Sequence, residues 1–294
     1  MAKEKIFSAG GQAVIEGVLI RSQHKLAIAV RRPSGKISVK KEKIISIADR
    51  HAFLRWPFVR GLFNLAQMLV IGFRALIHSA NETMDKIEEE LTYLEIVFSI
   101  VLAIGFALLF FKLFPLLIAQ FFYNRFPFVA QSNIVFNLID GITKIILFVL
   151  YVFIISLMRD VKRLFEYHGA EHKAVNCYEA GEDITIKNVK KYPTLHPRCG
   201  TNFILIVFLF SILVYTFIPK DYSFWLKFGL RILLLPVIAG VSYELLKLTG
   251  KYRDNWLMRA VAFPGLAVQL ITTREPDEKQ IEVSIAALKG VIED

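Results

Sequence analysis

The sequence predicts a mainly α-helical, polytopic membrane protein with four transmembrane helices, amphipathic interfacial or re-entrant helices and a small N-terminal β element. Three observations carry this. Mean hydropathy is +0.48, and 55% of the 294 residues are apolar, with 25 Phe, beyond what soluble globular domains show. Four stretches reach the roughly 20 residues that a bilayer core requires: Tyr93–Phe122, Ile134–Met158, Asn202–Ile218 and Phe224–Leu246. Short runs rich in Val, Ile and Leu, of the kind that form strands, cluster before residue 48.

In the N-terminal segment, Ala13–Ile20 and Lys25–Arg31 read as strands, and Pro33-Ser34-Gly35 supplies a turn before Lys36–Lys43. Glu16 interrupts the first run and is expected to point to solvent by strand alternation. Arg60–His78 places Arg60, Asn64, Gln67, Arg74 and His78 on one helical stripe. The apolar stretch between Arg60 and Arg74 is too short to cross, so an interfacial or re-entrant helix is expected. Asp85–Glu90 is an acidic run that suits a solvated helix face. Ala260–Thr273 is apolar but broken by Pro264-Gly265, and is read as a second membrane-surface element. Ile281, Ile285, Leu288 and Ile292 then recur at the spacing of an amphipathic terminal helix. The chain divides into residues 1–92, a four-span region 93–246 with a loop at 159–201, and residues 247–294.

Orientation follows from Lys and Arg. Residues 1–92 carry 15, 159–201 carry 8 and 247–294 carry 7, whereas the connections Tyr123–Asn133 and Pro219–Ser223 carry one each. The positive-inside bias therefore puts both termini and the central loop in the cytoplasm. The net charge of +10 suits anionic lipid headgroups, and no motif or fold points to nucleic acid. Met1–Phe7 is charged and lacks the pattern of a signal peptide. Cys177 and Cys199 fall on the reducing side, where a structural disulfide is not expected.

The most informative string is Tyr167-His168-Gly169-Ala170-Glu171-His172. On a helix His168 and His172 are one turn apart, with Glu171 on the same face. The pattern H-x-x-E-H is the reversed zincin motif, in which two His hold Zn and the Glu activates water. The loop ends in His196-Pro197-Arg198-Cys199-Gly200-Thr201, where Pro197 and Gly200 define a tight corner presenting a His and a Cys. Cys199 or His196 would complete a divalent-metal site, and two His with one Cys and an open position is a catalytic Zn set. His196 could instead support a ligand from behind, and Arg198 could hold an anionic group. Glu244, near the end of the fourth span, is a further candidate ligand because ionisable groups in spans are costly. A straight continuation of the second span would carry His168 about 15 Å past Met158, so a bend, for which Gly169 offers a place, is needed to bring the groups together. Alternatively His168 and His172 are surface residues with Glu171 paired to Lys173, and Cys177 is a buried small apolar residue.

Together Gly10–Gly17, Tyr167–Lys173, His196–Thr201 and Gly240–Glu244 resemble the YqhQ-like family, domain of unknown function 1385. The resemblance implies a multi-pass bacterial plasma-membrane protein and a metal-dependent enzyme with no established reaction. It carries a site onto His168, Glu171, His172, His196, Cys199 and, further off, Glu16 and Glu244. The expectation is a zinc hydrolase at the cytoplasmic face, with His168, His172 and Cys199 or His196 as ligands, Glu171 as base and Arg198 orienting an anion. The alternative is a non-catalytic scaffold or assembly factor binding lipid or other membrane proteins, any metal being structural. A transporter ranks third, because charged residues in the spans look few and near their ends.

Overall fold

A computed structural model describes residues 9–44, 56–57, 59–83 and 93–292. Met1–Phe7 and the acidic run Asp85–Glu90 lie outside the described residues. Four antiparallel strands form one meander: β1 (Gly10–Val14), β2 (Gly17–Arg21), β3 (Lys25–Arg31) and β4 (Ile37–Lys43). The run Ala13–Ile20 is not one strand. Val14 pairs with Gly17, so Ile15 and Glu16 are the two residues of a hairpin turn, and Glu16 adopts φ 50°, a left-handed conformation rare outside Gly, Asn and Asp. Its carboxylate is paired with Arg163 and accepts from Tyr167 Oη at 3.1 Å, so it does not simply point to water.

Both faces of the sheet are covered, which explains why β2 is apolar at consecutive positions rather than alternating. Val18, Ile20, Ala27 and Ala29 pack on α6 (Arg159–Glu179) and α12 (Glu278–Ile292) through Ala174, Val175, Ile281 and Leu288. Val14, Leu19, Leu26, Ile28 and Val30 face Ala75 and Ile71 of α1 (Val59–Thr83). The free edge strand β4 ends in exposed Lys40, Lys41, Glu42 and Lys43, which discourages edge pairing.

The remaining helices are α2 (Tyr93–Leu108), a π turn at Leu109–Leu113, α3 (Phe114–Arg125), α4 (Pro127–Gln131), α5 (Asn133–Ile155), α7 (Ile186–Val189), α8 (Gly200–Tyr215), α9 (Phe224–Leu233), α10 (Leu235–Lys251) and α11 (Trp256–Thr272). Among the described residues three helices are long and apolar enough to cross a membrane, Val59–Thr83, Val97–Arg125 and Asn133–Ile155; α9 and α10, bent by 43°, make a fourth if counted as one span. Outward-facing Ile134, Leu138, Ile142, Ile146, Leu150 and Phe153 run along α5, a continuous apolar face larger than water-soluble surfaces tolerate. Several such helices mark a membrane protein.

The expected spans shift in three places. The helix over Arg60–His78 extends to 25 residues, because its polar stripe is used internally: Arg21 reaches Gln67 (3.0 Å) and Asn64 donates to Tyr243 Oη (3.0 Å). The third expected span is the 16-residue α8, shorter than a bilayer core requires. Ala260–Thr273 belongs to the continuous α11, with Pro264 inside it; its small residues let it lie close on α8, and a Cβ at Gly265 would meet Asn202 Oδ1 at 2.0 Å. A further correction concerns charge: Lys112, Asp140, Lys144, Lys227 and Arg231 are all buried in the helical bundle, and only Lys227 lies near an end of it, bonded to Lys220 O.

Candidate metal centre

α5 does not continue straight into α6. Ser156–Met158 form a turn, and Met158 is extended at φ −71°, ψ 138° as the N-cap of α6, so the expected 15 Å offset is removed by a break in the chain rather than by a bend at Gly169. α6 is an unbroken helix through Gly169. Glycine is needed there because the segment after α11 lies against it: a Cβ would sit 2.0 Å from Arg274 O. That segment is anchored by Arg274 N–H donating to Phe165 O at 3.0 Å.

The central part of α6 is enclosed. Tyr167, Gly169, Ala170, Glu171, His172, Lys173, Ala174, Val175 and Cys177 are buried, so the surface reading of the histidines does not hold, and Lys173 pairs with Glu275 (2.6 Å) rather than Glu171. His168 and His172 lie one turn apart, their rings tilted by 60° with centroids 4.4 Å apart. His168 Nδ1 lies 2.8 Å from Thr272 O, and His172 Nδ1 lies 2.5 Å from Thr194 O. A carbonyl only accepts, so both Nδ1 atoms carry a proton, and Nε2 is the nitrogen of each ring that a metal ion would take, displacing any proton held there.

Cys199 is brought to them as the N-cap of α8, its Sγ 3.2 Å from His168 Nε2 and accepting from Thr201 N–H at 3.4 Å. Burial raises the thiol, but the charges of His168 and His172 outweigh it and hold Cys199 well below the ordinary thiol range, as thiolate, the form that binds metals. Burial lowers His168, yet the facing Cys199 lifts it to about 9. One donor atom each from His168, His172 and Cys199 falls within 4.8 Å of the other two. Donors around one Zn²⁺ at about 2.0–2.3 Å would stand about 3.3–3.7 Å apart, so small side-chain adjustments close the set.

Glu171 is buried beside this group, Oε2 3.5 Å from His172 Nε2. His196 is adjacent but not in the set. Its Nδ1 accepts from Arg198 N–H (3.3 Å), while Nε2 faces Glu179 Oε2 (3.4 Å) and Arg253 Nη2 (3.2 Å); burial, then the charge of His172, takes it down to about 3. Both nitrogens are thus engaged away from the His168–Cys199 pair. Glu244 is elsewhere altogether: it accepts from Arg60 Nε and Nη2 at 2.7 and 2.5 Å, tying α10 to α1. Arg198 pairs with Glu179, which also holds Arg253; burial, then Arg253, lowers Arg198 to about 10. Two arginines thus converge on Glu179, and the Glu171 carboxylate also acts on Arg198. Cys177 sits in the core beneath the sheet.

Residues that the motif reading passed over hold the corner in place. Gln269 Oε1 accepts from His196 N–H at 2.8 Å and its amide donates to His196 O at 2.9 Å, while Asn202 donates to Pro197 O at 2.7 Å. Gln269 is a lone amide in an apolar helix, a signal that was available; the carbonyls of Thr194 and Thr272 leave no mark in sequence. Gln269→Leu is expected to strand two buried backbone groups at about 1–3 kcal/mol each and to weaken metal binding by about 10–100-fold through the loosened Cys199. Denaturant titration and a competitive chelator assay on the variant measure both.

The model of the family described as "Protein of unknown function (DUF1385)" matches residues 56–294. The chain belongs to this family. The chain is also 34% identical over 306 residues to "Uncharacterized protein YqhQ" of Bacillus subtilis (strain 168), covering 99% of this chain and 95% of that protein. No solved structure matches the chain. The DUF1385 match begins after the sheet and takes in all of His168, Glu171, His172, His196 and Cys199.

Proposed function

We propose that this DUF1385 member is a metal-dependent hydrolase working at the cytoplasmic face of the membrane, with Zn²⁺ as the ion. The observation that carries the reading is the convergence of His168, His172 and Cys199 within 4.8 Å, with both imidazoles oriented from behind by backbone carbonyls, the arrangement metal-binding histidines use. Three protein donors leave a fourth position for water or substrate, the catalytic pattern. A divalent cation there supplies Lewis-acid activation of water. Glu171 Oε takes up the proton that a water loses. Arg198 and Arg253, held beside the site by Glu179, orient an anionic group of the substrate. The excess of Lys and Arg in residues 1–92, 159–201 and 247–294 supports a cytoplasmic orientation of these groups and of both termini, beneath anionic headgroups.

The burial of Glu171, His172 and Cys199 favours a second reading, a structural ion that ties α6 to α8 and α11 in a scaffold binding lipid or membrane proteins. Elemental analysis of the detergent-purified protein separates these. About one equivalent of Zn²⁺ is expected, and Glu171→Gln is expected to keep it while hydrolysis of an ester, amide and phosphoester panel falls by about 10²–10⁴-fold. Metal retained with no hydrolysis by the parent protein would leave the structural reading standing; absence of metal would end both.

A further inference from the structure

The buried charges inside the helical bundle belong to no part of the site above. Lys112, Asp140, Lys144, Lys227 and Arg231 are each at most 7% exposed. Arg231 Nη1 touches Asp140 Oδ1 at 2.6 Å and Nη2 donates to Asn137 Oδ1 at 2.6 Å. Lys144 also pairs with Asp140. Lys112 donates to Tyr215 Oη at 3.2 Å, and Tyr215 in turn donates to Arg231 O at 2.9 Å. The Tyr215 ring carries Lys112, Lys144 and Arg231 at 5.4, 4.9 and 5.0 Å from its centroid. Lys227, one turn before Arg231, reaches Gln120 Oε1 (2.6 Å) and Lys220 O (2.8 Å).

Three cations, Lys112, Lys144 and Arg231, thus surround the one carboxylate of Asp140, with Lys227 one turn away on α9. A buried charge without compensation costs several kcal/mol, so a formal excess of this size calls for a counter-anion. The backbone is irregular at the same place. Lys112 lies in the π turn Leu109–Leu113, and Arg231 ends α9 just before the 43° break into α10. π turns in helices and broken spans mark binding positions in membrane proteins. Lys144 is about 16 Å along α5 from Asn133 at 1.5 Å per residue, near mid-depth of a bilayer core. Arg231 Nε and Nη1 are buried without a hydrogen-bond partner, two donors that an oxyanion oxygen would satisfy.

We propose that Arg231, Lys112 and Lys144 form a binding site for a phosphate-type oxyanion inside the helical bundle, reached past Lys227 from the end of the bundle that holds the connection at residues 216–223. A free phosphate carries about −1.5 to −2 charges and cancels the excess that three cations leave over one carboxylate, whereas a lipid phosphodiester, at about −1, cancels half of it. The phosphate belongs either to a lipid headgroup or to a free anion.

Native mass spectrometry of the full-length protein in detergent tests the lipid source, and calorimetric titration of the delipidated protein with inorganic phosphate, against chloride as control, tests the free one. Expected is either a retained phospholipid or saturable one-to-one phosphate binding, reduced at least tenfold in Arg231→Gln. Lys112→Met removes a cation that has no carboxylate partner and is the second variant should Arg231→Gln not fold; the same reduction is expected. Neither phospholipid nor phosphate held by the parent protein would overturn the proposal, as would binding that both variants leave unchanged.

Discussion

His172→Ala is expected to lower zinc affinity by about three orders of magnitude, on the order of 4 kcal/mol out of the 10–16 kcal/mol that a structural-type Zn²⁺ site supplies. The basis is the convergence of His168, His172 and Cys199, whose donor atoms lie within 4.8 Å; on the proposed reading, removing one of the three donors would leave only a two-point chelate. The fold should largely survive, since the imidazole's structural hydrogen bond is the one to Thr194 O, worth about 1 kcal/mol. Chelator competition followed by elemental analysis reads the affinity, and His196→Ala is the control. His196 is equally close in sequence terms to the Cys199 corner, but its two nitrogens serve Arg198 N–H and the Glu179–Arg253 pair. Its loss should change zinc affinity by no more than about tenfold, the size expected of a supporting group. Equal losses in the two variants would mean that His196 is a ligand.

What the sequence made legible, and what it hid, differs by the range of the interaction. One-turn spacing within a helix is local, so His168, Glu171 and His172 could be placed on one face from the string alone. The apolar lengths of α5 and of the Val97–Arg125 helix were likewise readable. Glu244 shows the limit. A carboxylate in an apolar stretch announces that it has a partner, but not which one, and Arg60 on α1 is the partner here. Arg60 reads in the sequence as one member of a polar helical stripe, so both halves of this bidentate pair are visible there and the pairing is not. Lys112, Asp140, Lys144, Lys227 and Arg231 teach the same lesson inside the bundle. Asp140 and Lys144 stand one turn apart on α5, a pairing that spacing alone allows, but Arg231 of α9 and Lys112 join them only when the helices are packed together. The hairpin at Ile15-Glu16 was missed for a different reason: neither residue is a turn former, and the left-handed Glu16 is held by long-range contacts to Arg163 and Tyr167.

Gly169→Val is expected to cost about 3 kcal/mol or more, at or beyond the upper end of ordinary overpacking, because the atom in the way cannot rotate aside. A Cβ on Gly169 would stand 2.0 Å from Arg274 O and 3.2 Å from Thr194 Cγ2, and the first of these is backbone held by Arg274 N–H to Phe165 O. Relief requires the segment after α11 to move off α6. That movement would carry Thr272 O away from His168 Nδ1, releasing the hydrogen bond that fixes the tautomer, and displace Thr194, whose carbonyl does the same for His172. A glycine inside the H-x-x-E-H string is therefore a packing requirement of the metal site, and stability and metal affinity should fall together. Thermal unfolding with a chelator titration tests this, with Gly229→Ala as the comparison. Gly229 is also helical, but nothing lies within 4 Å of a Cβ built on it, so alanine there should be neutral or stabilising by about 0.5–1 kcal/mol. If Gly169→Val melts like the parent protein and binds zinc as tightly, then the segment after α11 does not lie on α6, and the backbone orientation of both histidines loses its basis.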